Sequence, residues 1–184
     1  NVIRDRYFEN TPRAGRHLAD PFLLNRTGRI SPYDRLFRIA GAEHDLDWRL
    51  LAALAFQESR FDPHAKSWAG AYGLMQLKPT TAGVSARKLN DPKLNVKLGS
   101  AHLRMLYDLY ADLPEVERMR FALAAYNCGQ GHLDDARKLS EMLGNDPDVW
   151  EGSVRESLLL LREPTYHRGG GSGYVRGSVT VGDV

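Results

Sequence analysis

Glu58 lies near the end of the run Leu50 to Gln76, LLAALAFQESRFDPHAKSWAGAYGLMQ. On a helix, Leu51, Leu54 and Ala55 stand seven, four and three positions before it and share its face. A carboxyl on an apolar face is hard to ionise, because desolvation disfavours the charged form. An acid so placed can act as a general acid near neutral pH. The plain alternative is a helix-end glutamate that reaches solvent or caps a neighbouring backbone.

The residues after Glu58 favour the chemical reading. Ser67, Gly70 and Gly73 punctuate the next loop, Gly73-Leu74-Met75-Gln76 closes it, and Ala125-Tyr126-Asn127 ends a helix far downstream. A glycine-rich loop with polar side chains beside such an acid suits a long, hydroxyl-rich ligand. Ser67 and Gln76 can donate and accept hydrogen bonds, and Tyr126 offers a ring face with a phenolic hydroxyl. Taken singly, Ser67 caps a loop, Gln76 sits on the surface, Met75 belongs to a core, and Tyr126 and Asn127 terminate a helix. The nearest second acid, Asp62, follows at i+4, but Pro63 leaves its direction open. The six histidines show no ligand spacing, which argues against zinc, and His132 reads as a cap or surface residue. The single cysteine, Cys128, excludes an internal disulfide and packs as a small hydrophobe.

The elements that must hold these residues are helical. Ser31-Pro32 with Asp34 signals a helix start, and Leu36, Ile39 and Ala40 are its expected buried stripe, ending near His44. Asp47 caps a helix from Trp48 to Arg60 that Pro63 ends, and Asp62 to Gln76 reads as loop. A short helix opens at Pro79, and Val96, Gly99, Leu103, Leu106, Tyr107 and Tyr110 space out as a long amphipathic helix. Glu115 to Cys128, His132 to Leu143 and Asp148 to Leu161 are further helices, with Gly129, Gly131 and Gly144 as breaks. Residues 1–30 read as a basic arm or linker, and Gly169 to Gly173 as a flexible stretch. At 184 residues, with 42% hydrophobic and 26% charged content, the composition is that of an ordinary globular chain. A net charge of +2 is too weak to suggest nucleic acid, yet it does not repel an anionic polymer. No apolar run approaches a membrane span, and the opening Asn1 suggests a processed or excised piece.

Together, Glu58-Ser59, the S-x-x-G-A-x-G-L-M-Q run from Ser67 to Gln76 and Ala125-Tyr126-Asn127 resemble the Slt-type, goose-lysozyme-like lytic transglycosylases. Asp45 to Leu51 and Gly131 to Ala136 are similar to the membrane-bound F-type subgroup. The resemblance implies a mainly α, lysozyme-like single domain of roughly seven to nine helices with a substrate groove, over residues 31–184. It implies cleavage of peptidoglycan between N-acetylmuramic acid and N-acetylglucosamine, with no cofactor or metal. The family's catalytic acid maps onto Glu58, and its sugar-contacting positions onto Ser67, Met75, Gln76, Tyr126 and Asn127, with Tyr174 in a Gly173-Tyr174-Val175-Arg176-Gly177 stretch. From about residue 164 the pattern departs: Ser178 and Val179 stand where acids are expected, and Asp183 where a tyrosine is. The implied partners are peptidoglycan glycan strands and no nucleic acid, in a bacterial periplasm with possible outer-membrane attachment through other segments. Two alternatives stay open: a lysozyme that admits water, using Asp62, and a non-catalytic glycan-binding or scaffold module.

Overall fold

The first helical start is a knot of short hydrogen bonds. In the computed structural model, which describes residues 29–163 and Tyr166, the Asp34 carboxylate accepts from Ile30 N at 2.9 Å, Ser31 N at 2.7 Å and Ser31 Oγ at 2.8 Å. The Ser31 hydroxyl oxygen in turn accepts from Tyr33 N at 3.1 Å. These bonds satisfy backbone donors that a helix start leaves open, and they launch α1 (Asp34–His44). The stripe expected at Leu36, Ile39 and Ala40 is rotated. Phe37, Ala40 and Gly41 are buried, whereas Ile39 is 55% exposed. Gly41 is the cause: a Cβ there would stand 2.6 Å from Leu46 O and 3.2 Å from Trp48 Cβ. Its bare backbone lets the next helix close in.

That helix, α2 (Trp48–Ser59), packs on α1 and is capped by Asp47, whose Oδ1 accepts from Arg49 N at 2.8 Å. Leu51, Ala52, Ala55 and Ser59 are buried along it. Two successive non-glycine residues, Arg60 (φ 55) and Phe61 (φ 63), then turn left-handed, at a cost of about 1–2 kcal/mol each. Packing offsets this. The Phe61 ring centroid lies 5.5 Å from that of Phe56 and 6.3 Å from that of Phe37, and the Arg60 guanidinium sits 4.2 Å over Phe56.

After the loop come α3 (Pro79–Ala82), a single tight turn at Lys88–Asn90 and α4 (Pro92–Leu109). Arg104 of α4 donates to the carbonyls of His44 at 3.3 Å and Asp45 at 3.4 Å. A guanidinium is thereby held against the negative end of α1. The described residues divide into two compact units between Arg104 and Met105. The first contains α1 to α3 and most of α4.

The second unit adds α5 (Glu115–Cys128), α6 (Gln130–Met142), a wide turn at Trp150–Val154 and α7 (Arg155–Leu160). Phe121, Leu133, Leu158 and Leu161 are almost completely buried in it. Phe121 meets Tyr110 and Trp150 edge-on at 5.5 and 5.9 Å. The continuous helix expected from Asp148 to Leu161 is shorter, because Glu151 is extended and Gly152 takes φ 74. Glu117 Oε2 accepts the Trp150 N–H at 2.7 Å, anchoring the wide turn to α5. Arg137 donates to Pro147 O at 3.0 Å and pairs with Asp148. Among the described residues there are seven α-helices, as the mainly α expectation required. The expectations for the arm over residues 1–28, for Gly169 to Gly173 and for Tyr174 lie outside the described residues.

Candidate active site

Glu58 projects from the last turn of α2, one position before the fully buried Ser59 and three after the fully buried Ala55. It remains partly exposed, yet burial raises its carboxyl from the ordinary 4.5 to about 7. This is the desolvation that the spacing of Leu51, Leu54 and Ala55 leads one to expect. Asp62 is held differently. Its Oδ1 accepts from His64 N at 2.9 Å in the turn after the helix. Its charge also adds to the burial that pushes the Tyr33 hydroxyl up.

Ser59 ties the acid's helix to the following loop. Its hydroxyl, the only proton available, points to Leu74 O at 2.8 Å and to Ala55 O at 3.1 Å. Ser59→Ala leaves the Leu74 carbonyl without this buried donor, an expected loss of about 1–3 kcal/mol, read as a lower urea midpoint with an unchanged slope.

The loop itself is closely bonded. Ser67 N donates to Ala71 O at 3.0 Å, and the Ser67 hydroxyl oxygen accepts from Ala71 N at 3.0 Å. Gly73 N donates to Ala65 O at 2.9 Å. The Gln76 carboxamide donates to Ala65 O at 3.2 Å and to Gly73 O at 2.9 Å, from a left-handed backbone at φ 48. Gly73 has φ 79, and a Cβ there would stand 2.3 Å from both Leu89 O and Asn95 Nδ2. Only glycine suits that position.

Asn95, at the start of α4, organises this end of the site, and sequence reasoning missed it. Fully buried, it accepts from Met75 N at 2.8 Å and donates to Tyr72 O at 2.8 Å and Leu89 O at 2.9 Å. A signal was present: Asn95, Gly99 and Leu103 recur at i, i+4 and i+8, which puts a polar residue on an apolar face.

Glu58, Ser67 and Gln76 belong to the first unit, as does Met75. The expectation that Met75 contacts sugar is corrected. Its surface is 0% exposed, and Gly99 makes room for it, since a Cβ there would lie 2.6 Å from its sulfur. Met75 therefore packs the inside of the loop. Tyr126 (half-buried) and Asn127 (exposed) occupy the last turn of α5 in the second unit, just before Gly129 at φ 89.

Residues 35–148, more than half of the chain, match the family model of the transglycosylase SLT domain. The chain belongs to the transglycosylase SLT family. Its mainly helical architecture is the lysozyme-like SLT fold. The SLT domain is 40% identical over 168 residues to the membrane-bound lytic murein transglycosylase F of Alcanivorax borkumensis, with 89% of this chain and 35% of that protein covered. A transglycosylase of the same name from Maricaulis maris is 42% identical over 164 residues, covering 87% and 35%. The chain thus spans about a third of the length of these curated relatives. Among solved structures, the 70 kDa soluble lytic transglycosylase Slt70 of Escherichia coli aligns with a TM-score of 0.55 and 29% identity, over 68% of this chain and 21% of that one. Lytic transglycosylase Slt of Pseudomonas aeruginosa, an inactive mutant with glutamate replaced by glutamine, aligns at 0.50 and 26%, over 71% and 23%.

Proposed function

We propose that this SLT domain is a peptidoglycan lytic transglycosylase, with Glu58 as its single catalytic carboxyl. The observation that carries the reading is a carboxyl raised to about 7 by burial, beside a loop whose bonding tethers Ser67 and Gln76. Family membership and the names of the relatives support the substrate class. Protonated Glu58 donates to the leaving glycosidic oxygen as the C1–O bond breaks. The C6 hydroxyl oxygen of the muramic acid then bonds to C1, and its proton passes to the Glu58 carboxylate. A 1,6-anhydro end forms, and no water is consumed. Ser67, Gln76, Tyr126 and Asn127 are assigned to holding the sugar, and Tyr174 to the same role in the carboxy-terminal stretch. Ordinary glycosidases flank the bond with two carboxylates. Asp62 instead accepts a backbone hydrogen bond in its turn, which favours the one-carboxylate route over a lysozyme.

The same reading puts the chain in the bacterial cell envelope, on the periplasmic side, where the glycan strands are, with any outer-membrane attachment made by other segments. Digestion of purified peptidoglycan followed by mass spectrometry is expected to yield anhydro-muropeptides. Reducing muramic acid ends would establish a hydrolase, and an inert digest with measurable glycan binding would establish a binding module.

The pH dependence follows from the direction of the Glu58 shift. The acid must start protonated, so the rate should hold below about 7 and fall about tenfold per pH unit above it. An alkaline limb near the ordinary carboxyl value of 4.5 would show that burial does not raise the acid, and a limb that neither moves nor disappears in Glu58→Gln would remove Glu58 from the acid role.

A further inference from the structure

Two consecutive left-handed residues follow the candidate acid. Arg60 at φ 55 and Phe61 at φ 63 stand two and three positions after Glu58, and neither is a glycine. A β-carbon makes that conformation unfavourable, and such strain persists only where the surrounding structure imposes it. The Phe61 side chain, 5% exposed, is well placed to do so. Its ring centroid lies 5.5 Å from that of Phe56 in α2 and 6.3 Å from that of Phe37 in α1. The backbone closes the same knot, with Arg60 N donating to Phe56 O at 3.0 Å and Asp62 N to Ser59 O at 3.1 Å. Phe56 and Phe61 thus bracket Glu58 along the chain, all within the first unit. With 3.6 residues per turn, Phe56 stands about 200° around the helix from Glu58. The Phe56 ring therefore takes hold of the last turn of α2 from a side other than the carboxyl's.

We propose that Phe61 is a positioning residue for Glu58: its buried ring holds the left-handed turn that ends α2, and that turn holds the carboxyl in place. This inference rests on the reading of Glu58 as the catalytic acid. Helix ends fray, because their last carbonyls have no partner within the helix, and Glu58 sits in the last turn. Seating Phe61 between α1 and α2 removes that freedom before any substrate arrives, and a fixed geometry is what a proton donor needs. The same fixation keeps water from the carboxyl, which burial alone raises. The adjacent charges have partners of their own. The Arg60 guanidinium lies 4.2 Å over the Phe56 ring, and Asp62 Oδ1 accepts from His64 N at 2.9 Å. Phe61 therefore acts on the acid through backbone placement.

The test compares Phe61→Ala with Phe61→Gly. Both lose the ring, but only glycine takes φ 63 without strain. Simple core packing makes the smaller residue the worse one, whereas a ring that acts through the turn makes glycine the better. Phe61→Ala is expected to lower kcat on peptidoglycan about tenfold and to leave KM within about twofold. Phe61→Gly should keep several times the turnover of the alanine variant. The Glu58 carboxyl, followed by carbon NMR and assigned by its loss in Glu58→Gln, should titrate near 7 in the parent and lower in Phe61→Ala. Rates are compared at a temperature where thermal scans show every variant folded. Should Phe61→Ala not fold, Phe61→Leu takes its place, with kcat and titration expected to move the same way and parental values for both overturning the proposal. An alanine variant that matches or exceeds glycine in kcat overturns it, as does an alanine kcat within about threefold of the parent or a loss confined to KM. The two readings separate cleanly. A parent without anhydro products beside a Glu58 titration that falls in Phe61→Ala rejects the transglycosylase and keeps the positioning role. Anhydro products beside a titration and a kcat that do not move do the reverse.

Discussion

Replacing Glu58 with glutamine is expected to lower the rate of anhydro-muropeptide release by at least 10²- to 10⁴-fold, the usual worth of a general acid or base. In the mechanism proposed above one carboxyl serves in both roles, so the loss should reach the upper end of that range or exceed it. Glutamine keeps the size and hydrogen-bonding reach of the side chain but carries no transferable proton. The same variant should also be more stable at high pH. A carboxyl whose folded value is raised from 4.5 to about 7 costs stability progressively as pH rises through that window, and the full cost stands above 7. The shift sets an upper bound of about 3 kcal/mol on that gain. Urea unfolding should therefore separate Glu58→Gln from the parent at pH 8 and leave the two much closer at pH 5. Persistent anhydro-muropeptides in the variant would end the assignment, and equal stability at pH 8 would show that the carboxyl is not desolvated.

The largest stability effect is expected at Asn95. Asn95→Ala removes three hydrogen bonds at once, two of them buried, to Met75 N and Leu89 O, and one part-buried, to Tyr72 O. Unsatisfied buried groups cost about 1–3 kcal/mol each, so the two buried ones alone put the expected loss at about 2–6 kcal/mol, a large share of a typical domain's stability. Asn95→Asp is a sharper probe. It keeps an acceptor for Met75 N but turns an oxygen towards two carbonyls that need a donor. Both variants should lower the thermal midpoint by many degrees. At temperatures where they remain folded, turnover should fall as well, because the network holds the Tyr72–Gln76 segment. A midpoint within two degrees of the parent for Asn95→Ala would show that the network is dispensable.

Much of this was legible in the sequence because local rules and tertiary packing agree there. Ser31-Pro32 with Asp34 and Asp47 before Trp48 are short-range signals, and each marks an observed helix start to within a few residues. Glu58 was legible for the same reason: three apolar neighbours at helical spacing suffice to forecast desolvation. Long-range effects were harder to read. The buried stripe of α1 turned because Gly41 accommodates Leu46 and Trp48, a close approach that no periodicity encodes. The family resemblance put Met75 among the sugar contacts, whereas Gly99, 24 positions on, makes room for it in the interior. Trp150 to Val154 follows helical spacing, but Gly152 and the Glu117 carboxylate redirect it. Asn95 spans 20 to 23 positions to the loop it holds.

Gln76 carries a further consequence. Both of its amide protons are committed, one direction to Ala65 O and the other to Gly73 O, which leaves only the carbonyl oxygen Oε1 for any visitor. The side chain is thus a one-way reader of hydrogen-bond polarity. In the sugar-holding role proposed for Gln76, a hydroxyl that donates would find an acceptor there, whereas an ether oxygen at the same place would meet lone pair against lone pair. On that proposed role, discrimination between a free hydroxyl and a capped one follows from how the loop folds, before any ligand arrives.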